Sequence, residues 1–317
     1  MAKYSIEDTT LTNIADAIRE KTKKTDSIPV SSFNNEIASI EADPSEFFET
    51  TVTASNYTTF GANFVKKTPI IKIEEGVTRP KYTFSSFPKA DLVIDVANGQ
   101  LANCEYMFHN SNITSVNLFD TSANYSMSYM FYNCKNLTSI PNFNTSTVVK
   151  MDYAFYGTPI TELPEIDTSI CSDYYSMCQS CTKLLSVGNH KLGTNQTSNV
   201  SISSMFSGCS SLTEIGNLEC SNVVMSYNTF YNCRNLTTIG ALTNLGARFG
   251  TSQNANSVIN LSSCTKLTHD SLMNVINSIA DVTSLGWTPP LTLGSTNLAK
   301  LTEEEKAIAV NKGWALS

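Results

Sequence analysis

Apolar and polar positions along most of this chain recur with a period of 23 or 24 residues, too long for helix or strand periodicity. Each period carries a phrase of the form Met-Phe-x-x-Cys-x-x-Leu-Thr. One clean copy is Met130-Phe131-Tyr132-Asn133-Cys134-Lys135-Asn136-Leu137-Thr138, and others occupy residues 205–213 and 229–237. Degenerate copies pass through Phe84, Phe108, Phe155 and Cys178. The steps from Phe84 to Phe108, Phe131, Phe155 and Cys178 are 24, 23, 24 and 23 residues, and Phe206 to Phe230 is 24. A fixed period of this size marks a solenoid, in which each unit buries its apolar face only against its neighbours.

The pattern places the array at residues 81–267. In each unit an aromatic residue or a Met-Phe pair enters the core. A turn follows at Asn133, Gly157, Ser180, Gly208 or Asn232, and Cys and Leu then return inward. A short strand is expected at residues 137–140 and another extended piece at 148–151. A second turn is expected at Asp120-Thr121-Ser122, Asn144-Thr145-Ser146 and Asp167-Thr168-Ser169, where Asp or Asn bonds its own backbone two residues on. Two insertions, at 190–198 and 245–256, interrupt the period. Insertions in repeat proteins fall in loops on one face, often the working face.

The flanks read differently. Leu11, Ile14, Ala15 and Ile18 are spaced as one helix face, and Phe33, Ile37 and Ile40 as a second, shorter one. Helices this short are marginal alone. Residues 1–42 therefore form either a local helical hairpin or an oligomerisation and docking element whose contacts are Leu11, Ile14, Ile18, Phe33 and Ile37. Residues 43–80 read as a linker and a β cap, with extended segments at 51–53, 64–65 and 69–73. Residues 268–317 read as an α/β C-terminal cap. It has a helix at 270–280, a strand at 291–293 and a helix opened by the capping-box sequence Thr302-Glu303-Glu304-Glu305. That helix closes at Gly313, with Trp314 over the last apolar surface.

Hydrophobic residues make up 41% of the chain and charged residues only 15%, with Ser, Thr and Asn filling the polar positions. The net charge of −7 excludes a nucleic-acid footprint, which needs clustered Lys and Arg. No apolar run has the length of a membrane span. The first residues lack the apolar core of a secretion signal, so the expectation is a chain made in a cytoplasm. Of nine cysteines, Cys134, Cys181, Cys209, Cys233 and Cys264 hold one repeat position. A column of small buried hydrophobes explains them better than a disulfide framework. Cys178-Gln179-Ser180-Cys181 has no second pair at zinc spacing, and no metal or cofactor is expected.

A search for catalytic chemistry finds no His-Glu-x-x-His, no phosphate loop and no nucleophile elbow. Asp120 and Asp167 belong to turns, and the Asn144 between them denies a glycosidase its paired carboxylates. The candidates for partner binding are aromatic: Tyr132, Tyr156 and Tyr231 follow the core position directly, and His109 fills the same slot. Tyr106, Tyr129 and Tyr153 stand two residues before the core Phe, with Tyr175 and Tyr227 shifted by one. Stacked units line these into columns. An outward column offers flat faces and hydroxyls to sugars or proteins, and an inward one packs between units.

The phrase and its Asp-Thr-Ser turns resemble the BspA-like leucine-rich-repeat family over residues 81–317. The tail, from Leu267-Thr268-His269-Asp270 to Leu298-Ala299-Lys300-Leu301-Thr302, resembles the usual end of that family. The resemblance implies an α/β, β-dominated, leucine-rich-repeat-like solenoid. The stretch from Asp8-Thr9-Thr10-Leu11 to Ala17-Ile18-Arg19 is similar to the opening of tail-associated proteins of phages infecting Gram-positive gut bacteria. Together they imply a non-enzymatic virion tail or baseplate protein, homo-oligomeric, contacting other tail proteins and binding a bacterial surface glycan or protein. The alternatives are a purely structural decoration protein and a bacterial surface adhesin, with a carbohydrate-active enzyme as a third.

Overall fold

In the computed structural model the sequence period becomes a hydrogen-bond period. Phe108 N donates to Met130 O, Phe131 N to Ala154 O, Phe155 N to Met177 O, Cys178 N to Met205 O and Phe206 N to Thr229 O, all at 2.9–3.0 Å. Each unit therefore lies in parallel register on the next. The structure describes residues 48–52, 69–73, 77–80, 83–87, 93–96, 99–163, 166–194 and 199–317. The chain divides into two compact units, Met1–Phe48 and Glu49–Ser317. The proposed helices with Leu11, Ile14, Ile18, Phe33 and Ile37 lie outside the described residues, as does the 64–65 segment.

The architecture is β-dominated, with few helices and short parallel sheets. Strands β1 (Phe48–Val52), β2 (Pro69–Ile73) and β3 (Val93–Asp95) form one sheet in that order, with Ile71 opposite Ile94. Asn117 caps its open edge: Ile94 N donates to Asn117 Oδ1 at 2.8 Å, and Asn117 Nδ2 donates to Ile94 O at 2.9 Å.

The strand expected at 137–140 does not form. Its equivalents do form later in the array: β4 (Ser186–Val187), β7 (Glu214–Ile215) and β10 (Thr238–Ile239) pair in parallel, with Ser186 and Thr238 both opposite Glu214. That ladder closes just past each strand, where Gly216 N donates to Val187 O and Gly240 N to Ile215 O. In the 137–140 unit the matching residue is Pro141, which has no N–H to donate.

A second ladder joins β5 (His190–Lys191), β8 (Leu218–Glu219) and β11 (Leu242–Thr243). The extended piece at 148–151 is realised on a third side as single parallel bridges, Ser126–Lys150–Asp173–Ser201. These lead into β6 (Val200–Ser201) and β9 (Val223–Met225).

The core is a set of columns. Phenylalanines stack at centroid distances of 5.4 Å (Phe84–Phe108), 5.1 Å (Phe108–Phe131), 6.1 Å (Phe131–Phe155) and 6.3 Å (Phe206–Phe230). Leu137, Leu184, Leu212 and Leu236 are fully buried beside them. The second turn forms as its residues dictate: Ser122 N donates to Asp120 Oδ1, Ser146 N to Asn144 Oδ1 and Ser169 N to Asp167 Oδ1. The middle threonine of each turn is buried and ties its unit to the next: Thr121 Oγ1 donates to Asn144 O, Thr145 Oγ1 to Asp167 O and Thr168 Oγ1 to Lys191 O, at 2.8–3.0 Å.

At the C-terminal end, α1 (His269–Ser278) starts one residue earlier than its hydrophobic spacing suggests, because Thr268 caps it by accepting from Ser271 N, and stops two earlier, where Ile279 turns to extended backbone. A parallel sheet of β12 (Ile259–Asn260), β13 (Pro290–Thr292) and β14 (Ala315–Leu316) follows, with a short helix α2 (Ser295–Leu298). Helix α3 (Glu303–Asn311) has both bonds of the Thr302–Glu305 capping box. Gly313 has φ +88°, and a Cβ there would lie 2.8 Å from Thr283 N. Trp314 is buried edge-on to Phe249 and donates to Ala280 O at 2.9 Å.

Candidate binding face

Each unit passes twice through the left-handed backbone region. The second passage uses residues suited to it, such as Asn133 and Gly157. The first is held by Tyr106, Tyr129 and Tyr153, at φ of 58°, 57° and 55°. A bulky residue there is uncommon and costs about 1–2 kcal/mol. The compensation is visible in the rings: Tyr106 stacks on Tyr129 and Tyr129 on Tyr153, both at 4.5 Å. Aromatic pairs contribute about 0.5–1.5 kcal/mol beyond burial.

The Tyr132 column runs beside this one. His109 stacks on Tyr132 at 4.9 Å and Tyr132 on Tyr156 at 4.7 Å, with planes within 13°. The two columns lean together at 5.5 Å (Tyr129–Tyr132) and 5.7 Å (Tyr153–Tyr156). His109, Tyr132 and Tyr156 thus join Tyr106, Tyr129 and Tyr153 in one six-ring panel, half-buried throughout. Tyr231 is not part of it. Gln179 and Ser207 occupy the intervening levels of its column, and Tyr231 is 54% exposed.

Of the two arrangements the spacing allows, outward faces or packing between units, the rings adopt the second. Within the panel the faces are turned onto one another, so ring edges and hydroxyls are what an approaching molecule meets. Carboxylates edge the panel. Asp152 accepts from Ser128 Oγ, and Glu105 accepts from Ser126 Oγ at 3.0 Å. Burial, assisted by repulsion from Asp173, holds the Asp152 carboxyl above the usual range. Burial also lowers the His109 pKa, which favours a neutral ring.

The cysteine column is buried and free of disulfides. Its thiols are more than filler. Cys134 Sγ donates to Phe108 O at 3.0 Å, Cys181 Sγ to Phe155 O at 3.0 Å, Cys209 Sγ to Cys178 O at 3.0 Å and Cys233 Sγ to Phe206 O at 3.1 Å. Each reaches back to the core position of the preceding unit. Burial pushes the Cys134 thiol up to about 11 and Cys104, Cys171 and Cys264 up to about 12, so none of these is a thiolate near neutral pH.

Two clefts lie away from the panel. One of about 430 Å³ is lined by Ile94, Leu118, Phe119 and Asp120 among others. The other, of about 350 Å³, sits where the first insertion begins and is lined by His190, Lys191 and Glu219 among others. Among the described residues no three His, Cys, Asp or Glu side chains gather as a metal site, and no helix is long and apolar enough to cross a membrane.

A family model described as a Mycoplasma protein of unknown function, DUF285, matches residues 101–200 and 160–244. That stretch holds the whole panel and most of the thiol column. Neither the curated proteins nor the solved structures contain a match to the chain.

Proposed function

We propose that the array is a leucine-rich-repeat-like solenoid, and that the chain is a non-catalytic phage tail or baseplate protein that binds a host cell-surface component through the aromatic face. The tyrosine panel carries this reading. Rings fixed by mutual stacking lose little freedom when a partner arrives, which lowers the ordering cost of binding. A row of hydroxyls and ring edges flanked by Asp152 and Glu105 presents acceptors and donors at a regular spacing along the array. The placement in a tail rests on the N-terminal resemblance, and Leu11, Ile14, Ile18, Phe33 and Ile37 are the proposed contacts between copies.

The test is attachment of the purified, labelled full chain to Gram-positive host cells, competed by cell-wall glycan. Saturable binding that soluble glycan displaces is the expected result. Absence of binding overturns the receptor reading and favours the decoration protein, in which the panel stabilises the array or meets a neighbouring virion subunit.

A further inference from the structure

The cleft of about 350 Å³ on the second ladder contains a polar residue where the repeat calls for an apolar one. Phe119, Phe143, Ile166, Leu218 and Leu242 stand one unit apart in a single column, and all are buried. His190 takes the level between Ile166 and Leu218. Thr168 Oγ1 donates to Lys191 O, which sets that level after Ile166, and the ladder pairs His190 with Leu218. The imidazole makes no hydrogen bond among the described residues, yet it is only half-buried and is not sealed from water. Burial lowers its pKa, so the ring is neutral and offers one N–H and one bare nitrogen. A leucine would fill the column better, so packing does not explain the histidine.

The rest of the lining is polar: Asn189, Lys191, Asn217, Glu219 and Thr243. The amide oxygens are already used. Asn217 N donates to Asn189 Oδ1 at 2.7 Å, and Ala241 N donates to Asn217 Oδ1 at 2.8 Å. The two Nδ2 groups donate to no described residue. Lys191 and Glu219 stand opposite each other in the ladder but form no ion pair among the described residues. Glu219 Oε1 accepts from Ser221 N and Ser221 Oγ, and Oε2 takes neither bond. An ammonium and a carboxylate oxygen are thus left unsatisfied on neighbouring levels, about 4.8 Å apart at the backbone. Hydroxyls both accept and donate, so two adjacent hydroxyls satisfy this pair together.

We propose that this cleft binds a neutral sugar unit of a glycan, with adjacent hydroxyls bridging Lys191 and Glu219 and a further polar group meeting His190. The volume falls in the range of small-ligand sites. Asp167 stands one level before Lys191, so the three charges sum to −1 and select against an anion. Backbone amides here are spent in the ladder: His190 N donates to Asn217 O, Leu218 N to Ala241 O and Leu192 N to Glu219 O. A peptide carboxylate would find no nest of free N–H groups. The cleft is separate from the tyrosine panel, so this site goes beyond the panel's role and its failure leaves the panel untouched.

The experiment titrates the full chain with neutral tetramers of glucose, mannose, galactose and N-acetylglucosamine, by calorimetry and saturation-transfer NMR. Galacturonic acid tetramer is the anionic probe and glycine the zwitterionic one. At least one neutral tetramer binds, and its affinity falls about tenfold in Lys191→Met and in Glu219→Gln, where Gln keeps an acceptor for Ser221. Affinity is unchanged in Val310→Ala, a substitution of an exposed residue on α3. His190→Leu separates binding from packing: it raises the melting temperature by restoring the apolar column, and it weakens binding. A lower melting temperature in His190→Leu, or affinity unchanged there, shows a structural imidazole and overturns its part in the site. Failure of all four neutral tetramers to bind, tighter binding of galacturonate or glycine, or unchanged affinity in both Lys191→Met and Glu219→Gln overturns the site itself.

Discussion

The thiol column makes a prediction whose sign, not just its size, discriminates between two accounts. If Cys134 only fills space, Ala is the better replacement, because Ser would bury an unpaired hydroxyl at a cost of about 1–3 kcal/mol. If the Sγ–Phe108 O bond matters, Ser is the better one. Its hydroxyl replaces the weak thiol donor with a stronger one, while Ala removes the donor entirely. The column already accommodates hydroxyls: Ser111 stands one level before Cys134 and lies 3.3 Å from its sulfur, and Thr158 stands one level after. Phe108 O also accepts from Ser111 N, so losing the side-chain donor does not leave that carbonyl bare, and the bond contributes about 0.5–1.5 kcal/mol. Both variants lose sulfur packing at a fully buried site, and Cys134→Ala should cost about 1–3 kcal/mol in total. The expected order is therefore Cys above Ser above Ala, with Ser ahead of Ala by about 1 kcal/mol. Urea unfolding followed by circular dichroism measures it. If Cys134→Ala is the more stable of the two, the thiol is a hydrophobe and the donor argument is wrong.

Asp152→Asn should stabilise the protein at neutral pH. The folded state holds this carboxyl above its ordinary pKa, so raising the pH through that range removes stability as the buried group ionises. The advantage of Asn should shrink as pH falls from the raised folded-state value toward the ordinary aspartate value and level off below it, and a constant difference across pH 3–7 would contradict the assignment. Lys312→Met should cost about 2 kcal/mol, because the ammonium donates to Ile276 O, Asn277 O and Ile279 O at 2.7–3.0 Å and so satisfies the open end of α1. A thermal melt reads the loss, and an unchanged melting temperature would show that water serves those carbonyls equally well. Native protein should resist thiol reagents at neutral pH, with all nine cysteines reacting only after denaturation. Stoichiometric labelling of the folded chain would contradict the burial of the column.

Much of the core was legible because it depends only on spacing. Phe84, Phe108, Phe131 and Phe155 stand one unit apart, and residues that recur at that interval in parallel units must meet. The turns at Asp120, Asn144 and Asp167 and the cap at Thr302 were legible because their bonds close within three residues. What escaped depends on partners many residues away. The Cys134 thiol finds an acceptor 26 residues earlier, and nothing local to either residue marks the pairing. The missing strand at 137–140 turns on whether the next residue can donate to the unit before it, a test that Gly216 and Gly240 pass and Pro141 cannot. The tyrosine columns were legible as columns, but ring orientation was not. The same spacing is compatible with rings facing outward or facing each other, and the left-handed backbone at Tyr129 and Tyr153 is visible only in three dimensions.

That last distinction bears on where a repeat protein of this kind can bind. A column of identical aromatic residues satisfies itself: the rise between parallel units is close to the stacking distance, so each ring becomes the ligand of the next. Regular columns therefore stabilise and stiffen the array, and their faces are spent in doing so. A free face requires a level where the repeat fails, with a small residue between two large ones or a ring tilted out of the stack. The exposed Tyr231, separated from Tyr156 by Gln179 and Ser207, stands at such a level. The panel can therefore meet a partner only by its ring edges and hydroxyls, and a partner that needs a ring face has to find it where the repeat fails.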